Sequence, residues 1–402
     1  MRNPGIDRTK AMLFAALFGG LCAAASPAAA EPLKVFILAG QSNMQGYAGV
    51  STFDSLADDP KTAPILQEMR NADGSPRVCE RVWISSVGCA GNDVTEQTGK
   101  VTAGFGASKD RIGPEFTFGL YLEKRLREPI LLIKTSWGGK TLHTDFRPPG
   151  AGPYVFNDGQ LAAFQRKGED LAAVKAAKEK ETGVFYRLMI EHVRKVLADI
   201  ERVVPGYDPK QGHELAGFVW FQGWNDFCDG AAYPNQGQPG GYDEYGRLLA
   251  QFIRDVRKDV NTPDMPFVIG VMGINGVKGD NQPPMSHFRT AQAIPSLLPE
   301  FKGNVVAVPT APFWDDELAA LHGRWDAFVD RMNAEQKKHP DLTPEARQAA
   351  RTQAMDEAFT PEEQKRLKGF SHWDCHYHGA AKIMAPIGKA FAEAMAELQQ
   401  TR

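Results

Sequence analysis

Leu33-Lys-Val-Phe-Ile-Leu-Ala39, followed at once by Gly40-Gln-Ser-Asn-Met-Gln-Gly46, is the stretch that decides the fold. Its first half is a nearly continuous apolar run, the pattern of a strand buried on both faces. Its second half is a Gly-flanked turn that carries Ser42 out of the strand end. A nucleophilic serine needs an exposed hydroxyl with a donor beside it, and a strand-to-loop turn supplies both. A serine or asparagine there can equally cap the following helix. Similar apolar runs recur at 129–135, 216–221, 267–272 and 305–308, and helical spacing of apolar residues falls between and after them at 115–125, 184–201, 242–258 and 380–398. Parallel strands require crossover connections, and each helix must cover a sheet face. The alternation therefore predicts a three-layer α/β/α fold around a mostly parallel sheet of five or six strands.

The composition sets outer limits on function. With 402 residues, 43% hydrophobic and 24% charged, the chain can bury one large core and is not disordered. Its 46 Lys and Arg against 49 Asp and Glu leave a net charge of -3. With a pI near 6.3 and no basic block, no nucleic-acid partner is expected. Residues 1–30 begin with Arg2, Arg8 and Lys10, continue with an apolar run from Ala11 to Ala25 and end in Ser26-Pro-Ala-Ala-Ala30. That order reads as a secretory signal cut after Ala30, which places the mature chain in the periplasm or outside the cell. The apolar run is shorter than the roughly 20 residues of a spanning helix, so no membrane span is expected. Residues 31–402 read as a single domain. Within it 328–369, rich in Lys, Glu, Arg, Gln and Ala and broken by Pro340 and Pro361, reads as a peripheral helical insertion. Secretion also permits disulfides. Cys79 with Cys89 would close a short loop, and Cys228 with Cys375 would tie two distant segments; the alternative is four buried free thiols.

In an open α/β sheet, ligands sit beyond the carboxyl ends of the strands. After 129–135 comes Ser136-Trp-Gly-Gly-Lys140, where two glycines present unencumbered N–H groups of the kind an oxyanion hole requires. After 216–221 comes Gln222-Gly-Trp-Asn-Asp226, in which the Asn225 amide can donate to a developing oxyanion without carrying charge. His372-Trp-Asp-Cys-His-Tyr-His378, just before the last helix, is the natural supplier of a general base. If extended, its alternating His372, Asp374, His376 and His378 would instead share one face and suit a metal. Trp137, Trp224 and Trp373 adjoin these blocks, where aromatic rings either meet sugar faces or fill core gaps.

Taken in order, the four blocks resemble the SGNH hydrolase superfamily, and more narrowly its carbohydrate-esterase branch described as sialic acid-specific acetylesterase-like. The resemblance implies a flavodoxin-like SGNH fold and an O-acetylesterase acting on an O-acetylated carbohydrate, with no cofactor and no metal. It makes Ser42 the nucleophile and His376 the base, with Asp374 orienting the imidazole, and forms the oxyanion hole from the N–H groups of Ser42 and Gly139 and the Asn225 side chain. Gln222, Trp137 and Trp224 become substrate contacts. His376-Tyr-His-Gly379-Ala-Ala-Lys resembles the branch's His-Tyr-x-Gly-Ser-Ala-Lys pattern, while His378 stands as a rival base. The superfamily spaces its acid and base Asp-x-x-His, whereas Asp374 stands two residues before His376. A catalytically silent carbohydrate-binding protein, or an esterase for other esters, is the alternative reading.

Overall fold

The computed structural model describes residues 31–88, 94–126 and 128–400. The leader assigned to 1–30, and Cys89 with its expected bridge, lie outside the described residues. β1 (Leu33–Gly40) occupies the middle of a seven-stranded sheet. With β2 (Val82–Val87), β3 (Gln97–Lys100), β4 (Ile130–Ser136), β5 (His213–Phe221), β6 (Phe267–Val271) and β7 (Val305–Pro309), the spatial order is β3-β2-β4-β1-β5-β6-β7. All neighbours are parallel except the edge pair β2 and β3.

The sheet is larger than the five or six strands expected, and the two strands that escaped show why. β2 is interrupted by Ser85 and Ser86, both fully buried. Ser85 Oγ is satisfied internally, 2.6 Å from Glu96 and 2.9 Å from His192 Nε2. β3 lies at the edge, and its residues alternate between half-buried and exposed. Neither strand therefore shows an apolar run.

Side chains alternate across a strand, so β5 reveals what covers each face. Gly217 lies against Met395 of the last helix, α5 (Ala381–Gln400), where an added Cβ would sit 2.3 Å from the sulfur. Phe218 faces the other way onto Phe252 of α4 (Asp243–Asp259), with ring centroids 5.9 Å apart. Phe36 packs on Phe118 of α2 (Pro114–Leu126), and Tyr186 of α3 (Val184–Ala198) packs on Phe252. Helices thus cover both faces, and every residue of β4 is buried.

The helical region expected at 328–369 begins earlier, at Asp316, with helices Asp316–Lys338, Pro344–Ala358 and Pro361–Arg366. They gather around a small cluster of their own, Leu321, Phe328 and Phe359. From Pro32 on the chain forms one compact unit. Among the described residues no helix is long and apolar enough to cross a membrane.

The register of the central strands matters most for function. Gly40 stands opposite both Ser136 of β4 and Phe221 of β5. The three strands end level, so the blocks that follow them emerge side by side. A Cβ at Gly40 would lie 2.1 Å from the carbonyl oxygen of Phe221, so only glycine lets β1 leave the sheet this close to β5.

Candidate active site

Ser42 opens a single helical turn, α1 (Ser42–Gln45), immediately beyond β1. Its N–H, at the start of the turn, has no acceptor within the protein, and neither has that of Gly139. Gly139 holds a left-handed φ of 74° that favours glycine, and Gly138 is the one beside the serine, its Cβ position 3.8 Å from Ser42 Cβ. α1 is anchored from below. The fully buried Lys134 of β4 donates to the carbonyl oxygens of Gln45 and Phe105 and pairs with Glu115, each at 2.7 Å. Burial pushes the Glu115 carboxyl upward, against the lowering effect of Lys134.

The block after β5 is stitched to α1 by amides. Gln41 Nε2 donates to Asn225 Oδ1 at 2.7 Å, and Gln41 Oε1 accepts from the N–H groups of Gly223 and Asn225 and from Gln222 Nε2. Asn225 Nδ2 has no partner in the protein, and the residue is half-exposed, so its N–H groups are available. Gln222 is not. Its Nε2 reaches Asp226, Lys140 O and Gln41, its Oε1 accepts from Tyr245, and the side chain is buried. The expected substrate contact is therefore an internal strut, because its hydrogen-bonding capacity is used up inside the protein. Asp226 completes the frame by accepting from Leu142 N, His143 N, Gln222 Nε2 and the Tyr233 hydroxyl, which ties the loop after β4 to the block after β5.

The histidine run is a turn, not a strand, so its alternating residues do not share a face. Tyr377 and His378 both take positive φ, 53° and 60°. Tyr377 is driven inward, its hydroxyl 2.7 Å from Thr310 Oγ1 and accepting from Gly273 N, which pins the turn to the chain just beyond β6 and β7. His378 is 2% exposed, its Nδ1 2.7 Å from His322 Nδ1 and its ring against Trp314, which turns it away from the cleft. His376 stays half-buried on the serine side. Asn43 Nδ2 donates to Cys375 O at 3.2 Å, and the His376 ring stacks on Tyr47 with centroids 4.1 Å apart.

Asp374 does not orient His376. The carboxylate is exposed and turns back to accept from the N–H of Cys375 at 2.6 Å, because the tight turn begins at Asp374 itself. The group that meets His376 Nδ1 is His372 Nδ1, at 2.8 Å. Burial pushes both imidazoles down to about 4, with His372 and Arg111 adding to the effect on His376. Ser42 Oγ accepts from Gln41 Nε2 at 3.4 Å and is not hydrogen-bonded to His376. Bonds between nucleophile and base are often loose until substrate closes the site.

The tryptophans separate cleanly. Trp137 is fully buried among Phe146 and Phe185, so it fills the core under the cleft and cannot touch substrate. Trp224 is half-buried beside Phe227. Trp373 is 69% exposed, and its ring lies within 18° of parallel to that of His376. Cys79, Cys228 and Cys375 are free thiols, so Cys228 and Cys375 are not bridged. Among the described residues no group of three His, Cys, Asp or Glu side chains is placed to hold a metal ion.

The model of the family described as carbohydrate esterase, sialic acid-specific acetylesterase, matches residues 32–310. The match takes in the first three blocks and stops short of the histidine turn. No curated protein matches the sequence. Among solved structures, the chain is similar to an Arabidopsis thaliana protein at 19% identity and a TM-score of 0.38, covering 69% of this chain and 86% of that one. It is also similar to a carbohydrate acetylesterase from Xanthomonas citri at 15% identity and a TM-score of 0.38, covering 68% of this chain and 49% of the other.

Proposed function

The chain belongs to the sialic acid-specific acetylesterase family of carbohydrate esterases, and from that premise we propose that Ser42 and His376 remove O-acetyl groups from a sugar through an acetyl-enzyme. The observation that carries this reading is the level ending of β1, β4 and β5, with Gly40 opposite Ser136 and Phe221. It brings the Ser42 turn beside the glycine block and the Asn225 block, and in this reading the N–H groups of Ser42 and Gly139 and the Asn225 amide, none with an acceptor in the protein, serve as the oxyanion donors. Such donors facing a carbonyl oxygen stabilise the charge that develops there.

In the proposed reaction His376 Nε2 takes the Ser42 proton as Oγ attacks the acetyl carbon. The C–O bond to the sugar then breaks, and the sugar oxygen receives that proton. Water, deprotonated by the same nitrogen, splits the acetyl-enzyme to acetate and free serine. One proton shared between the Nδ1 atoms of His376 and His372 leaves His376 Nε2 free to act as base. Trp373 offers the flat, exposed aromatic face that suits the C–H face of a sugar ring. The leader at 1–30 extends the proposal to export before action.

Acetate release from acetylated xylan, an O-acetylated sialic acid and nitrophenyl acetate tests the reading. Ser42→Ala should abolish release on all three and leave Tm within about a degree. Wild-type turnover in that variant would end the serine mechanism, and sugar binding with no turnover by the wild type would favour a silent binding protein.

A further inference from the structure

Gln41 is fully buried and directly precedes the nucleophile, yet the reaction as drawn gives it no part. Its surroundings fix its orientation without ambiguity. Two of the groups reaching Oε1 are backbone N–H donors, from Gly223 at 3.0 Å and Asn225 at 3.3 Å, and a backbone N–H can only donate. The third is Gln222 Nε2 at 3.1 Å, itself oriented because it also donates to the Asp226 carboxylate. The oxygen end of Gln41 must therefore face these donors, and its nitrogen end must face Asn225 and Ser42 Oγ. An N–H at 2.7 Å requires an acceptor, so Asn225 has to present Oδ1 to Gln41. Its Nδ2 is then left without a partner in the protein, on a half-exposed residue.

We infer that Gln41 is a positioning residue that locks the Asn225 carboxamide with its N–H groups toward the reacting carbonyl. The inference rests on the reading of Asn225 as an oxyanion donor and adds what sets it in that state. Without the lock, a free carboxamide can turn over about its last torsion and aim its oxygen at the place where negative charge develops.

Gln41→Glu tests this role, and the double variant with Asn225→Ala separates it from the contact of Gln41 Nε2 with Ser42 Oγ at 3.4 Å. One carboxylate oxygen keeps all three N–H donors satisfied, while the other replaces the one donor to Asn225 Oδ1 among the described residues. The Asn225 amide then turns over to donate to Glu, and its oxygen enters the cleft. With nitrophenyl acetate and an acetylated sugar, we expect kcat to fall about a hundredfold or more with KM nearly unchanged, the loss typical of one missing oxyanion donor. Asn225→Ala should fall by a similar factor, and the double variant should be no worse than either single one, because both remove the same interaction. A Q41E enzyme within about threefold of wild type, alongside an impaired N225A enzyme, would overturn the lock and leave the esterase reading standing. A fully active N225A enzyme would instead remove the oxyanion role itself, and the lock with it.

Rates are referred to the folded fraction measured by near-UV circular dichroism. If Q41E does not fold, wild-type protein labelled with nitrogen-15 asparagine decides. The side-chain amide signal that disappears in Asn225→Asp should exchange rapidly with water, as N–H groups facing a cleft do. Protection comparable to that of the buried amides would overturn the inference.

Discussion

His376 has an imidazole, rather than a carboxylate, against its Nδ1. A carboxylate in that place would stabilise the imidazolium and raise its affinity for protons; burial, with His372 and Arg111 adding to it against a smaller opposing effect of Asp374, does the reverse. His376 is therefore the neutral, proton-accepting form at any pH above about 4, and kcat/KM should fall with acid only through that region instead of near the ordinary 6.5 of histidine. A pH profile of nitrophenyl acetate hydrolysis checks this, and an acid limb centred near 6.5 would sink it. His372→Ala removes the group that aims the ring and should lower kcat about a hundredfold, the cost of a small misplacement of a catalytic group. Asp374→Asn, in contrast, should stay within about twofold, because that carboxylate bonds to its own turn and reaches His376 through space alone, as the smallest influence on the ring. Equal losses in the two variants would restore Asp374 to the machinery. The sequence could reveal the histidine-rich turn but not this choice. Spacing alone cannot show that two consecutive left-handed residues, Tyr377 and His378, roll His378 inward.

At the scale of elements, what reads from sequence is what repeats or punctuates. Continuous apolar runs located five of the seven strands, and the residues just beyond three of them proved to be neighbours because parallel strands in register end together. The second and third strands were hidden by buried serines and by edge exposure, since a buried polar residue looks like a surface one until its partner is known. Gln222 and Trp137 failed as substrate contacts for the complementary reason: their chemistry suited a site, but neighbours distant in sequence consumed it. Lys134 was the overlooked signal, a cation in the middle of Ile130-Leu-Leu-Ile-Lys-Thr-Ser136. A buried charge there implies a dedicated partner, and the structure supplies Glu115 together with the carbonyl oxygens of Gln45 and Phe105. Lys134→Met strands the Glu115 carboxylate and frees the end of α1. We expect a loss of about 3–5 kcal/mol in urea unfolding, with kcat reduced as the serine turn loosens. Stability within about 1 kcal/mol of wild type would show that the pair contributes little to the folded state.

For the molecule as a whole, the histidines near and behind the cleft make stability depend on pH with a definite sign. Burial holds His372, His376 and His378 down to about 4, while the same residues in the unfolded chain titrate near 6.5. Above about 6.5 both states carry neutral rings, and the stabilisation is fully present. As pH falls from there toward 4 the unfolded chain takes up protons that the folded chain refuses, so unfolding becomes easier; below about 4 these three rings add no further loss. Tm should therefore hold steady above pH 7 and drop by several degrees between pH 6.5 and 4.5, before most carboxylates begin to protonate. His378 lies outside the cleft, with Nε2 buried and unpartnered, so it separates the folding effect from catalysis. His378→Asn should flatten part of the Tm slope over that interval while leaving the acid limb of kcat/KM near 4, which His376 sets. A Tm flat from pH 7 to 4.5 in the wild type would refute the linkage. An acid limb that moved in His378→Asn would instead mean that the two histidine pairs, His376 with His372 and His378 with His322, share one proton network across the turn.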